Sequence, residues 1–310
     1  LLTVSSLGFL NGLTATANAT VNCYPMIQIS GSSEREPIDL MQGTYEGLDQ
    51  LNIAKPLVKA AYRINRPEDI MTGVVRAYRA AVSGRPGGVY LDVTTPCLGA
   101  VMDRKAAEAT LYTPVDLCPA VVPSPQSVAR AMELLAGAKK PVILLGKGAA
   151  YAQVDDKIRK FIEATGVPFY QMSMAKGLLP DNHELSVNSM RSYFMEQADV
   201  VMLIGARLNW LLSRGHGKWN PDGKFIQIDI DPEEIDINRA IAAPVVGDIE
   251  SSIDAMLAAL PSYKMSMDPD WVPSLQSASK AKNAKFAERF VPQTVPMTCL
   301  LYTSPSPRDR

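Results

Sequence analysis

Tyr45 and Glu46 stand side by side in MQGTYEGLDQ (residues 41 to 50), on a stretch flanked by glycines with Asp49 shortly after. A phenol and a carboxylate on such a loop could orient a substrate or an ordered water and trade protons with it. On spacing alone, a solvated surface pair satisfies the same pattern. A second set of residues is spread over three apolar runs. PVILLGKGAAYAQ (141 to 153) leads into a small-residue turn with Lys147, LIGARLN delivers Arg207, and FIQIDID delivers Asp229 and Asp231. A small-residue turn and cations suit phosphate groups, and a carboxylate suits ribose hydroxyls. The turn lacks the third glycine of GxGxxG and the Ser or Thr that follows Gly-Lys in a phosphate-binding loop of the Walker type. Surface ion pairing is the alternative reading. In MAKGLLPDNHEL (174 to 185) Lys176 could meet an anion, whereas His183 reads as a satisfied surface histidine. The run Asn188-Ser189-Met190-Arg191-Ser192 could hold an anionic group or simply start a helix.

These residues need elements to carry them. Apolar runs at 1–4, 26–30 and 88–93 predict strands, with helices over 12–19 and 67–83 between them. In the second of these, Ile70, Val74, Val75 and Tyr78 recur at helical spacing, and SGRPGG stops the helix. The proline-rich stretch 112–126 reads as a linker. After it come a helix at 126–135, strands at 142–145, 168–171, 200–205 and 225–230, and helices at 154–165, 193–197, 251–260 and from Pro232 onward. Strands alternating with helices predict an α/β fold with doubly wound, mostly parallel sheets and a ligand crevice at the carboxyl ends of the strands. Beyond residue 262 the periodicity fades. The closing VPQTVPMTCLLYTSPSPRDR is unlike what precedes it and reads as an atypical tail.

Composition narrows the function classes. With 310 residues, 47% hydrophobic and 20% charged, the chain has the make-up of one large or two ordinary globular domains. A net charge of −1 offers no general attraction to nucleic acid or anionic membrane. Four scattered cysteines without CxxC spacing and only two histidines argue against a zinc site or a disulfide framework and for a reducing, cytoplasmic setting. No run approaches the ~18 apolar residues that would predict a membrane span. The apolar start LLTVSSLGFLNGL, without Met or a basic segment, reads as the interior of a domain.

Taken together, GFLNGLTATANA, GSSERE, SGRPGGVYLD, GKGAAYAQ, MAKGLLPDNH, GARLNW and APVVGDI occur in an order that resembles thiamine diphosphate-dependent enzymes of the acetolactate synthase and oxalyl-CoA decarboxylase group. The resemblance covers roughly residues 1 to 285 and implies a partial pyrimidine-binding domain (1–115), a linker (116–126), a complete central nucleotide-fold domain (127–262), and a linker with the atypical tail (263–310). It implies a fragment: the glutamate that activates the aminopyrimidine would lie upstream, and the GDG…N motif holding Mg²⁺ and diphosphate downstream. Such a fragment would be inactive alone.

The shared GKGAAY, PDNH and GARLNW motifs imply the acyl-CoA branch, with 2-hydroxyacyl-CoA lyases as near relatives. The TYEGLDQ loop resembles the Tyr-Glu loop of oxalyl-CoA decarboxylases, which implies oxalyl-CoA as substrate, with Tyr45 and Glu46 near the reacting carbon. Gly8 and Asn11 would lie beside the aminopyrimidine, although Leu7 stands where relatives commonly have Pro. Arg85, Lys147, Arg207, Asp229 and Ile249 match positions that bind ADP as an activator. Asn188, Ser189, Met190, Arg191 and Ser192 match a stretch contacting the CoA part of the substrate. The family pattern implies a homodimer or homotetramer for the full-length protein.

Overall fold

A computed structural model describes residues 1–40, 42–43 and 46–288. The chain divides into two compact units, Leu1–Pro119 and Ala120–Arg310. Within the first, strands β1 (Leu2–Thr3), β2 (Met26–Ser32), β3 (Ala60–Ile64) and β4 (Gly88–Thr94) form a sheet of order β1-β2-β4-β3, parallel throughout. Central β4 is buried at every position, as a parallel strand covered on both faces must be. The helix predicted at 12–19 begins earlier and spans Leu7–Val21; it crosses β4 where Gly88 leaves room, since a Cβ there would come within 2.2 Å of the Thr16 carbonyl oxygen. Sequence periodicity passed over β3. Its AAYRI carries two small residues and an arginine, so no apolar run marks it.

The second unit holds β5 (Pro141–Leu145), β6 (Phe169–Gln171), β7 (Val200–Ile204), β8 (Lys224–Asp229) and β9 (Ala243–Val246) in the order β6-β5-β7-β8-β9, again all parallel. Alternate residues of each strand feed opposite faces. Ile143, Leu145, Met202 and Ile204 pack with the helices Pro125–Gly137, Asp155–Thr165 and Ile249–Ala259. Val142, Leu144, Val201 and Leu203 pack with Phe194, Trp219, Trp271 and Leu275. Each of these wholly buried side chains contributes about 1.5–3 kcal/mol, so the two cores pin the strand register from both sides. The Asp155–Thr165 helix ends at Gly166, which takes the left-handed conformation at φ 67.

Further features of the second unit depart from the expected elements. The helix expected from Pro232 is a single 3-10 turn, Pro232–Glu234, opened by Asp231, whose side chain accepts from the Glu233 amide at 3.0 Å. Strand β9 was concealed by Pro244. The Trp271–Ala287 helix lies where periodicity fades, because only Trp271 and Leu275 of its residues are buried. Trp271 anchors that helix: its indole N–H donates to the Pro141 carbonyl at 2.9 Å and its ring stacks on Tyr193.

Candidate functional site

In the first unit Gly8, Asn11 and Glu46 gather at the carboxyl edge of the sheet, where open α/β sheets bind ligands. Gly8 and Asn11 lie on the first turns of the Leu7–Val21 helix, which directly follows β1. Asn11 is exposed. Glu46 follows β2 and is half-buried; its carbonyl accepts from Ser33 Oγ at 3.1 Å and from the Leu48 amide at 2.9 Å. Tyr45 lies outside the described residues.

Beneath these positions runs a polar chain that sequence reading missed. Gln50 accepts from the Ser6 amide and donates to Gly31 O at 2.9 Å and to Tyr90 Oη at 2.8 Å. Tyr90 Oη donates to Asp92 at 3.3 Å, and Arg63 Nε donates to the other Asp92 oxygen at 2.5 Å. Arg63 and Arg35 both approach Asp49, at 3.5 and 3.6 Å. Burial, then the neighbouring Asp92 charge, pushes the Tyr90 phenol far above its ordinary pKa, so it stays a neutral donor. Burial by itself works to raise the Asp49 pKa, but hydrogen bonds from Asn52 and the charges of Arg35 and Arg63 hold it below the usual carboxylate value. A cavity of about 440 Å³ lined by Arg35, Arg63, Asn65, Thr94 and Pro96 opens beside this network. The available signal was Asp92, a charged residue inside the otherwise apolar run GVYLDVT, because such residues are buried only when paired.

In the second unit the strand order places a topological switch point between β5 and β7, whose connections leave toward opposite faces of the sheet. The turns after these strands interlock. The Gly146 amide donates to Ile204 O at 3.0 Å, the Gly148 amide to Gly205 O at 3.0 Å, and the Gly205 amide to Ile228 O at 3.1 Å. A Cβ at Gly205 (φ +57) would lie 2.5 Å from the Ala149 amide nitrogen, so only glycine permits this approach. The GKG pair therefore lets two loops pack backbone to backbone, and the Gly148 amide is already engaged. Lys147 opens the short Lys147–Tyr151 helix after β5. Arg207 follows β7, with Nη1 3.6 Å from Glu234 Oε1. Asp229 ends β8, 5% exposed, with Oδ1 accepting from the Asp231 amide at 3.1 Å. Ile249 opens the helix after β9 and belongs to the core. Two cations, a carboxylate and an apolar residue thus line one edge of one sheet.

Residues 128–256 match the family model for the thiamine pyrophosphate enzyme central domain. Over 296 residues the chain is 52% identical to an oxalyl-CoA decarboxylase of Escherichia coli (strain K12), covering 96% of this chain and 52% of the relative. A 2-hydroxyacyl-CoA lyase of Arabidopsis thaliana is 36% identical over 307 residues, covering 97% of this chain and 53% of the relative. The Homo sapiens 2-hydroxyacyl-CoA lyase 1 is 32% identical over 302 residues, covering 96% of this chain and 51% of the relative. The chain spans about half the length of the curated relatives it matches.

Four of the five residues expected at an ADP site, Lys147, Arg207, Asp229 and Ile249, share the carboxyl edge of the second unit's sheet. Arg85 belongs to the first unit, near the amino end of β4, where its guanidinium donates to Cys23 Sγ at 3.6 Å. Residues 188–192 of the second unit are tied into its frame. Asn188 accepts from the Gln171 amide at 2.8 Å and donates to Asp181 at 2.7 Å. Ser189 Oγ pairs with Ser279 Oγ at 2.6 Å, and its carbonyl accepts from Lys282. Met190 is buried, while Arg191 and Ser192 begin the Arg191–Gln197 helix. His183 sits edge-on to Phe169 and accepts from the Leu185 amide at 3.1 Å, a structural role. No helix among the described residues is long and apolar enough to cross a membrane.

Proposed function

We propose that this chain is part of a thiamine diphosphate-dependent oxalyl-CoA decarboxylase, which takes oxalyl-CoA and a proton to formyl-CoA and CO₂. The observation that carries the reading is the 52% identity to the bacterial oxalyl-CoA decarboxylase across 96% of this chain, against 36% for the plant 2-hydroxyacyl-CoA lyase.

The chain's residues suit a cofactor at the carboxyl edge of the first sheet: the Ser6–Asn11 turn follows β1, Glu46 follows β2, and the paired network of Gln50, Tyr90, Asp92 and Arg63 supports them. Thiamine diphosphate supplies a carbanion sink when bound. Gly8 and Asn11 would form one wall of its pyrimidine site. Tyr45 and Glu46 would orient the oxalyl carboxylate and place a proton at the carbon that loses CO₂. The central domain would hold ADP as an activator. Lys147 and Arg207 would take the diphosphate and Asp229 the ribose, with Ile249 against the base. Residues 188–192 would meet the CoA moiety. A Mg²⁺-dependent cytoplasmic homodimer or homotetramer completes the proposal.

The test is an assay of the full-length protein with thiamine diphosphate, Mg²⁺ and ADP, offered oxalyl-CoA and a 2-hydroxyacyl-CoA in parallel. Formyl-CoA from oxalyl-CoA, separated chromatographically, is the expected product. Turnover of the 2-hydroxyacyl-CoA alone would sink the reading.

A further inference from the structure

Gln50, the first residue of the Gln50–Ala54 helix, is wholly buried, and both ends of its amide are engaged. Its Oε1 accepts from the Ser6 amide, while Nε2 donates to Gly31 O and Tyr90 Oη. Acceptor and donor partners lie on different sides, so the amide has a single satisfying orientation. From its backbone, two short steps lead to Glu46. The Gln50 amide donates to Leu48 O at 2.9 Å, and the Leu48 amide donates to Glu46 O at 2.9 Å. From its side chain, one bond leads to Ser6, two residues before Gly8. Ser6 is buried and holds φ at +55, a conformation that a non-glycine residue keeps only where its surroundings fix it.

We propose that Gln50 is a positioning residue that joins Glu46 to the Ser6–Asn11 turn as one rigid assembly at the carboxyl edge of the first sheet. Its role is to set the carboxylate-bearing loop against the helix start on which Gly8 and Asn11 lie. The proposal rests on the reading above of Glu46, Gly8 and Asn11 as site residues. Tyr90, Asp92 and Arg63 support Gln50 from below, and Gln50 is the point where the buried network reaches both segments.

The experiment compares Gln50→Leu and Gln50→Glu in the full-length protein by steady-state kinetics with oxalyl-CoA and by hydrogen exchange. Leucine keeps the volume and removes every side-chain bond. Ionised glutamate keeps an acceptor for the Ser6 amide but cannot donate to Gly31 or to Tyr90. The expected result for Gln50→Leu is a fall in kcat of roughly tenfold to a hundredfold with KM little changed, the signature of misplaced groups in a site that still binds. Gln50→Glu should recover part of that loss. Exchange should quicken in segments 5–12 and 46–50 while segment 70–82 keeps wild-type protection. Unchanged exchange in both segments, or loss of protection spread evenly over the whole first unit, would overturn the proposal. If Gln50→Leu does not fold, Gln50→Glu decides by the same exchange pattern. A wild-type protein that does not decarboxylate oxalyl-CoA would refute the assigned activity, and the exchange pattern would still decide the role of Gln50.

Discussion

Arg63 Nε meets Asp92 Oδ2 at 2.5 Å, joining a barely exposed guanidinium on edge strand β3 to a wholly buried carboxylate on central strand β4. Removing one member of such a pair strands the other. Arg63→Leu leaves the Asp92 charge buried with only the Tyr90 hydroxyl, so a loss of about 3–5 kcal/mol is expected in urea unfolding of the first unit. Replacing both, as Arg63→Leu with Asp92→Asn, should recover much of that loss, because the uncompensated charge is gone. A single mutant with wild-type stability would show that the pair contributes nothing.

The interlocked turns of the second unit give a backbone prediction. Gly205→Ala places a methyl 2.5 Å from the Ala149 nitrogen at a residue with φ +57. Neither loop can retreat, since each hydrogen-bonds through its own amides. The substitution should cost at least about 2 kcal/mol, from strain together with broken backbone bonds, and thermal unfolding would report it. Gly137→Ala is the control: a Cβ there meets nothing within 4 Å.

Trp271 fixes a helix of otherwise weak amphipathicity onto the central sheet. Trp271→Ala removes a buried ring and its bond to the Pro141 carbonyl, with an expected cost of about 3–5 kcal/mol. Trp271→Phe keeps most of the ring and loses the N–H, so about 1 kcal/mol is expected. Limited proteolysis should cut within 271–287 in the alanine variant before it cuts elsewhere in the second unit.

The pairing of Asp49 gives a pH dependence with a definite sign. Burial alone would raise its pKa, but the Asn52 hydrogen bonds with Arg35 and Arg63 lower it below the model-compound value. A carboxyl with a depressed folded pKa stabilises above its unfolded pKa of about 3.9, and that contribution is lost as pH falls through the folded value. The stability gap between wild type and Asp49→Asn should therefore be full near pH 6 and close below about pH 4. A gap that widens on acidification would contradict the assignment.

These residues also show what a sequence yields and what it conceals. Strands β5, β7 and β8 were legible because parallel strands covered on both faces must be continuous apolar runs. The edge of the sheet that carries Lys147, Arg207 and Asp229 followed from their positions at the ends of those runs. Strand β3, strand β9 and the Trp271–Ala287 helix were not legible, since each buries few residues and draws its stability from tertiary partners. Gln50 and Asp92 were concealed for a different reason. Their importance lies in hydrogen bonds to residues far along the chain, such as Ser6 and Arg63, and such pairings have no period. The two glycines of GKG suit a phosphate turn or a plain strand–helix turn on sequence alone, and their close contacts in the fold are with the turn after β7.

The proposed nucleotide binding by the second unit can be tested on Arg207, whose guanidinium is held at 3.6 Å by Glu234. A diphosphate arriving at the switch point would compete with that carboxylate for the same cation. Calorimetry of the chain with ADP should give one binding event, and adenosine without phosphates should give none above background. Arg207→Ala should weaken ADP binding by roughly tenfold to a hundredfold, the worth of one or two charge-assisted hydrogen bonds. Glu234→Gln should act in the opposite direction, because it frees the guanidinium without removing it. Equal affinity for ADP in the wild type, Arg207→Ala and Glu234→Gln would place any nucleotide elsewhere. Opposite shifts in the two variants would mark Arg207 as the cation that the nucleotide takes from Glu234.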